Sequence, residues 1–293
     1  MMSSFFCLTF NVFTVMNKEK IEYSLNLIKK AEKLALKLSD KGFYVGFSGG
    51  KDSQVVLDLI KRTGVKFEAY YNVTTIDPPE NVYFIRKNYP EVIFSFPKEN
   101  FYKIVERKGM PTILKRFCCA VLKEINGVGR CVVTGVRAEE SKRRSSYTEL
   151  TLMKRKKVEN ESKDIDKMSE LNFQCVSGND KFILNPILHW TEKDVWQYIK
   201  ENNLPINPCY KESKRVACIF CPFARRKEIL MFCKRYPKMK ETLLRSIQKY
   251  LDKKEGNFSD AEDFFSWWIS KKSFSEYEGL RRQLDLFSFD HHR

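Results

Sequence analysis

The stretch YVGFSGGKDSQVVLDLI, residues 44–60, constrains the fold more than any other. An aromatic and β-branched run of strand type leads into Ser48-Gly49-Gly50-Lys51-Asp52-Ser53, and apolar residues at helical spacing follow. Glycines directly after a strand take positive φ and let backbone approach an anion closely. A helix starting near Asp52 aims its free N–H groups and the positive end of its dipole at the same point. The segment therefore predicts a phosphate cradle. Lys51 adds a point charge, Ser48 and Ser53 add hydroxyl donors, and Asp52 is suited to holding Mg²⁺ that bridges phosphate oxygens. The spacing matches neither GxxxxGK(S/T) nor GxGxxG, which sets it apart from the loop that splits the β–γ bond of nucleoside triphosphates and from the dinucleotide fingerprint.

Further short runs of strand type lie at residues 43–47, 67–73, 92–96, 131–134 and 182–184, with helix-like segments between most of them. Strands alternating with helices predict an α/β fold: a doubly wound, mostly parallel five-stranded sheet covered on both faces. An amphipathic helix is expected over 21–38, which Asp40-Lys41-Gly42 ends. Residues 1–16 read as a disordered or mis-assigned extension, with Met16 an alternative start, since this segment lacks a basic n-region and is too short to span a bilayer. The domain with the loop is expected over 17–224. Within it, residues 141–181 have weak periodicity and dense charge, predicting a basic insertion loop. A helical subdomain is expected over 225–293, with helices at 191–201, 225–253 and 260–286, the last announced by a capping box from Ser259 to Glu262.

Ser48–Ser53 after an apolar strand resembles the PP-motif of the adenine-nucleotide α-hydrolase superfamily, which includes ATP pyrophosphatases and phosphoadenosine-phosphosulfate (PAPS) reductases. Later stretches resemble the reductase family in the expected order, from about residue 45 to 223. TTIDPPE, residues 74–80, matches a segment after the second strand and makes Asp77 a candidate for nucleotide or metal contact. TGVRAEESKRRS, residues 134–145, resembles a Gly-x-Arg…Arg segment, with Gly135 at the strand end and Arg137, Arg143 and Arg144 offering planar forks for phosphate or sulfate oxygens. NPILHWTEKDVWQYIKENNLPINPCY, residues 185–210, is similar to a third segment. There Thr191 caps a helix, and Trp190, Val195, Trp196 and Ile199 are read as packing.

The chain has nine cysteines, an odd number that argues against a disulfide framework. Cys118-Cys119 and Cys218-x-x-Cys221 make a four-thiol set for Zn²⁺ or an iron–sulfur cluster, and adjacent cysteines suit the larger cluster better. Resemblance to adenosine-5′-phosphosulfate (APS) reductases and to sulfur-activating proteins of DNA phosphorothioation implies [4Fe–4S], with Zn²⁺ the alternative. A departure from the assimilatory reductases is that no cysteine follows Cys233, so their C-terminal thiol nucleophile has no counterpart; Cys209 is a candidate substitute.

Lys and Arg number 53 against 37 Asp and Glu, a net charge of +16 that attracts anionic partners. The expected protein is a cytoplasmic PP-loop enzyme with no membrane association. It binds ATP with Mg²⁺, and an acceptor, read as nucleic acid (DNA or tRNA), attacks the α-phosphate and releases pyrophosphate before sulfur transfer. Lys51, Asp52 and Arg137 are the expected catalytic residues, and a sulfur donor or thioredoxin-like protein the expected partner. The alternatives are an APS/PAPS reductase releasing sulfite and adenylate with a non-standard thiol, and a non-catalytic nucleotide-binding protein.

Overall fold

All five runs of strand type form strands: β1 (Phe43–Gly46), β2 (Phe67–Asn72), β3 (Ile93–Ser95), β4 (Cys131–Val133) and β7 (Lys181–Leu184), paired in parallel. The computed structural model describes residues 4–124, 126–154, 157–159, 181–254 and 258–280, with backbone alone at 4–17, 153–154 and 157–159. Phe43, Tyr44 and Val45 are buried, as a central parallel strand covered on both faces requires.

Among the described residues the sheet has seven strands, not five, in the order β3-β2-β1-β4-β7-β5-β6. The additional strands are β5 (Leu150–Lys154) and β6 (Lys157–Glu159), which lie inside the segment read as a loop. Leu150, Thr151 and Leu152 are buried and the strand pairs antiparallel with β7. Its apolar signal is only a few residues long and is drowned by the flanking charges. Residues 160–180 of the expected insertion lie outside the described residues.

The first unit comprises Met1–Asn72, Pro79–Phe96 and Glu124–Val216 and contains the sheet. Helix α1 (Ser4–Leu38) buries Leu27, Ile28, Ala31, Leu34 and Ala35, and the Ser24 hydroxyl donates to the Pro186 carbonyl. No Gly or Pro interrupts residues 4–38, so the helix runs unbroken through much of the segment read as a disordered extension. Helix α2 (Lys51–Thr63) ends at Gly64, whose φ of 71° closes the turn on the Lys61 carbonyl. Helix α3 (Pro79–Asn88) follows β2 in this unit.

The second unit gathers Val73–Pro78, Pro97–Lys123 and Ala217–Arg293. The composition change predicts a boundary at residue 225. The packing instead draws in Ile76 and the apolar face of α4 (Phe101–Lys108), because Phe101, Ile104 and Val105 share a core with Ile219, Leu243 and Phe265. The short helix α5 (Phe117–Leu122) also belongs here. In the first unit, α6 (Glu192–Glu201) is capped by Thr191 as expected, its hydroxyl accepting from the Asp194 N–H.

The helix expected at 225–253 is two, α7 (Arg226–Arg235) and α8 (Pro237–Leu251), because Pro237 cannot continue the ladder but suits a first turn. Helix α9 (Ala261–Ser270) is capped by Asp260, one residue later than read, with its carboxylate accepting from the Asp263 N–H at 2.9 Å. It breaks at Lys271, with φ 60°, and helix resumes over residues 274–280. Residues 281–293 lie outside the described residues.

Candidate functional site

Strand order reverses at β1: β2 and β3 lie on one side and β4 on the other. In such sheets ligands lie beyond the carboxyl ends of the strands at this switch point. Ser48–Ser53 leaves β1 there, and Gly135–Arg137 leaves its neighbour β4.

Gly49 has φ 75°, and a Cβ on it would lie 2.3 Å from Asn81 Oδ1. Only glycine fits. The Ser48 carbonyl accepts from Asn81 Nδ2 at 3.1 Å, and the Gly49 carbonyl from Asn207 Nδ2 at 2.9 Å and Gln54 Nε2 at 3.3 Å. Because N–H and C=O point oppositely in a trans peptide, holding these carbonyls from one side turns the next amides to the other. Gly50 is the N-cap of α2 and leaves the first turn without a side-chain cap. Ser53 Oγ closes the turn by donating to the Gly50 carbonyl at 2.8 Å, and Ser48 Oγ lies 3.1 Å from it.

A chain of ion pairs surrounds this turn. Lys51, only 6% exposed, places Nζ 3.0 Å from Asp52 Oδ2 and 3.6 Å from Glu192 Oε1. Arg137, 3% exposed, donates from Nε to Asp52 Oδ1 at 2.7 Å and from a terminal nitrogen to Glu139 at 2.6 Å. Two cations thus face three carboxylates, a side-chain surplus of one negative charge. Gly135 permits this closeness, since a Cβ there would lie 2.9 Å from the Asp52 backbone.

Several residues missed in the sequence complete the site. Asn207, fully buried, bonds both Gly49 and Asn81. Tyr210 accepts the Lys51 N–H on its hydroxyl at 2.8 Å, at the N-terminal end of α2; burial pushes its pKa up. The asparagine-proline pair after LPI was the available signal for this turn, but nothing local says which loop it supports.

Of the other expected anion ligands, Arg144 is paired with Glu140, and Arg143 is exposed with its guanidinium 6.0 Å from the Tyr147 ring centroid. Asp77 belongs to the second unit, where its carboxylate accepts the Thr74 N–H at 2.7 Å.

Cys118, Cys119, Cys218 and Cys221 also fall in the second unit. A hydrogen bond with Cys119, then burial and the nearby Cys218, push the Cys118 thiol well up. Burial raises Cys218 while Lys123, hydrogen-bonded to it, opposes that rise, and Thr74 Oγ1 lies 3.4 Å from its sulfur. The negative charge of a Cys218 thiolate in turn raises Lys123. The thiols are therefore electrostatic neighbours with a cation among them. Among the described residues, however, no three His, Cys, Asp or Glu side chains converge on a point that could hold a metal ion.

Nucleotide-type loop, switch-point position and strand order define a PP-loop α/β protein of the adenine-nucleotide α-hydrolase type. The chain belongs to the phosphoadenosine phosphosulfate reductase domain family, whose model matches residues 42–224. It is 27% identical over 285 residues to the uncharacterized protein MJ0973 of Methanocaldococcus jannaschii, covering 92% of this chain and 62% of that relative's length. Over 37 residues it is 46% identical to an adenosine 5′-phosphosulfate reductase of Lysinibacillus sphaericus, 12% of this chain and 16% of that one. Among solved structures, the U34-tRNA thiolase NcsA from Methanococcus maripaludis with its [4Fe–4S] cluster is similar at a TM-score of 0.42 and 14% identity, over 80% of this chain and 77% of that one. No helix among the described residues is long and apolar enough to cross a membrane.

Proposed function

We propose that the protein binds ATP with Mg²⁺ at Ser48–Ser53 and transfers adenylate to an acceptor, a nucleic acid, activating it for sulfur transfer. The observation that carries this reading is the charge balance at the loop: Lys51 and Arg137 against Asp52, Glu139 and Glu192. A bare polyphosphate meets net repulsion from that set, whereas a metal-complexed one meets carboxylates able to share its cation. Asp52, held from two sides, is the residue that would hold Mg²⁺, which neutralises charge on the phosphates when bound. The acceptor nucleophile forms a bond to the α-phosphorus as the bond to the bridging oxygen breaks, and pyrophosphate leaves with the electron pair. Loop amides and Lys51 stabilise that growing charge, the electrostatic contribution that dominates such transfers. Arg137 positions Asp52. Sulfur from a donor then displaces adenylate from the acceptor. In this reading Arg143 and Arg144 are further ligand contacts recruited on binding.

A second reading, sulfonucleotide reduction, is favoured by the family and by the neighbourhood of Cys209. Its turn, Pro208–Lys211, also carries Tyr210, which touches the loop, and the thiol is close enough to influence that phenol. Its thiolate would form a bond to the sulfonyl sulfur while the sulfur–oxygen bond to adenylate breaks. Attack by a thioredoxin-like dithiol would then release sulfite and leave that dithiol as a disulfide. Purified protein incubated with Mg-ATP, RNA or single-stranded DNA, and sulfide as donor is expected to yield AMP and pyrophosphate. Sulfite from APS or PAPS with reduced thioredoxin, and no pyrophosphate from ATP, would replace the first reading by the second.

Cys118, Cys119, Cys218 and Cys221 are proposed to hold [4Fe–4S], with Zn²⁺ the alternative. The four-thiol chemistry and the cation at Lys123 support an anionic cluster. Among the described residues these thiols do not converge on one point. Anaerobically purified protein is expected to show a broad absorbance near the visible–ultraviolet boundary with matching iron and sulfide, and Cys218→Ser to lose it. Colourless wild type containing zinc would show the cluster assignment to be wrong.

A further inference from the structure

The second unit contains a cavity of about 420 Å³ lined by Trp267, Trp268, Pro222, Leu114, Lys271 and Lys272, among others. Its rings are held in place. Trp268 donates its indole N–H to the Pro111 carbonyl at 2.6 Å, and Lys271 lays its ammonium 4.4 Å from the Trp268 ring centroid while donating to the Pro222 carbonyl at 3.0 Å. Lys271 does so from φ 60°, a backbone state that non-glycine residues seldom keep. Beside it, the indole N–H of Trp267 is buried with no hydrogen-bond partner.

Two properties select the ligand. The ionisable side chains lining the cavity are lysines, and no carboxylate is among them, so the complementary ligand is anionic. Apart from Thr112 and Ser273, its remaining wall is aromatic and aliphatic. Leu114 is 95% exposed and Ile113 49%, and next to them Arg116 lies over the half-exposed Phe223 ring at 5.1 Å. Glu276, bonded to Ser273 at the cavity wall, lies in the field of Lys272. A small inorganic anion would leave the rings and Leu114 uncovered, and an uncharged apolar ligand would make no use of the lysines. A flat ring joined to a phosphate satisfies both, which is how bases of a single strand bind when they stack on aromatics beside a cationic track.

We propose that this cavity takes one base and its adjoining phosphate from a single-stranded nucleic acid. This rests on the reading above that the acceptor is a nucleic acid, and it assigns that acceptor a binding site in the second unit. The base lies against Trp267 and Leu114, and the phosphate against Lys272.

Fluorescence anisotropy with labelled single-stranded RNA and DNA twelve-mers tests this, using the full chain. Leu114→Ser and Lys272→Glu alter exposed side chains, so folding is retained, and circular dichroism and melting check that. Leu114→Ser is expected to weaken binding by about fivefold or more. Lys272→Glu should weaken it too and reduce the slope of log affinity against log salt by about one. The wild type should show tryptophan quenching on binding. Unchanged affinity in both variants would overturn the proposal, as would equal competition by polyglutamate, which indicates an acidic protein, or displacement by AMP at the concentration of the strand, which indicates a free nucleotide. ATP turnover that requires nucleic acid, with strand binding blind to both variants, removes the cavity and leaves adenylation standing. Binding sensitive to both variants without any ATP turnover does the reverse.

Discussion

Lys51→Ala is expected to lower the rate of pyrophosphate release from ATP by about a hundred- to a thousandfold, the usual cost of removing one preorganised charge-stabilising group. The ammonium is nearly buried and is shared by Asp52 at 3.0 Å and Glu192 at 3.6 Å. Its removal leaves three carboxylates facing the guanidinium of Arg137 alone, so the phosphates lose a ligand and meet more repulsion. Stability should change little, because Asp52 keeps its 2.7 Å bond to Arg137. Lys51→Arg keeps the charge but not its compact, rotatable form, and should recover only part of the rate. The measurement is AMP and pyrophosphate production beside a thermal melt. Wild-type turnover in Lys51→Ala would remove the loop from the chemistry, and a collapsed melt would mean that Lys51 is structural instead.

Gly49→Ala is expected to be the most destabilising single methyl in the loop. At φ 75° an L side chain costs about 1–2 kcal/mol. The new Cβ would lie 2.3 Å from Asn81 Oδ1, which also accepts from Asn207, and displacing that buried amide adds about 1–3 kcal/mol. Gly64→Ala is the control: its φ is 71°, but nothing lies within 4 Å of the added Cβ, so only the backbone cost applies. Melting should fall by several degrees more for Gly49→Ala than for Gly64→Ala, at about 2–4 °C per kcal/mol for a domain of this size. Nucleotide affinity should drop only in the former. Equal shifts in the two variants would show that the loop is not held by the asparagine pair.

Legibility followed the range of the interactions. The five parallel strands announced themselves by short aromatic and β-branched runs, densest in the central strand, where Phe43, Tyr44 and Val45 are all buried. β5 did not, because its apolar signal is confined to Leu150, Leu152 and Met153 and charges flank it. The Pro237 break was present in the residues but overridden by the apolar spacing on either side of it. At the site, Gly49, Gly50, Lys51 and Asp52 were readable since strand, turn and helix are consecutive. Arg137 was expected to offer its fork to an anion, yet that fork already engages Asp52 and Glu139.

By itself the sequence determined a strand–glycine–helix cradle, its parallel sheet and the two cysteine pairs, because φ preference, apolar periodicity and thiol chemistry are properties of neighbouring residues. Only the tertiary structure decided that Asn207 and Tyr210 support the loop, that Arg137 clamps Asp52, and that Trp267, Leu114 and Lys272 share a cavity. Most of those contacts join residues tens to more than a hundred positions apart, and such distances close only when buried polar groups must find partners and the apolar faces of separate segments leave water together.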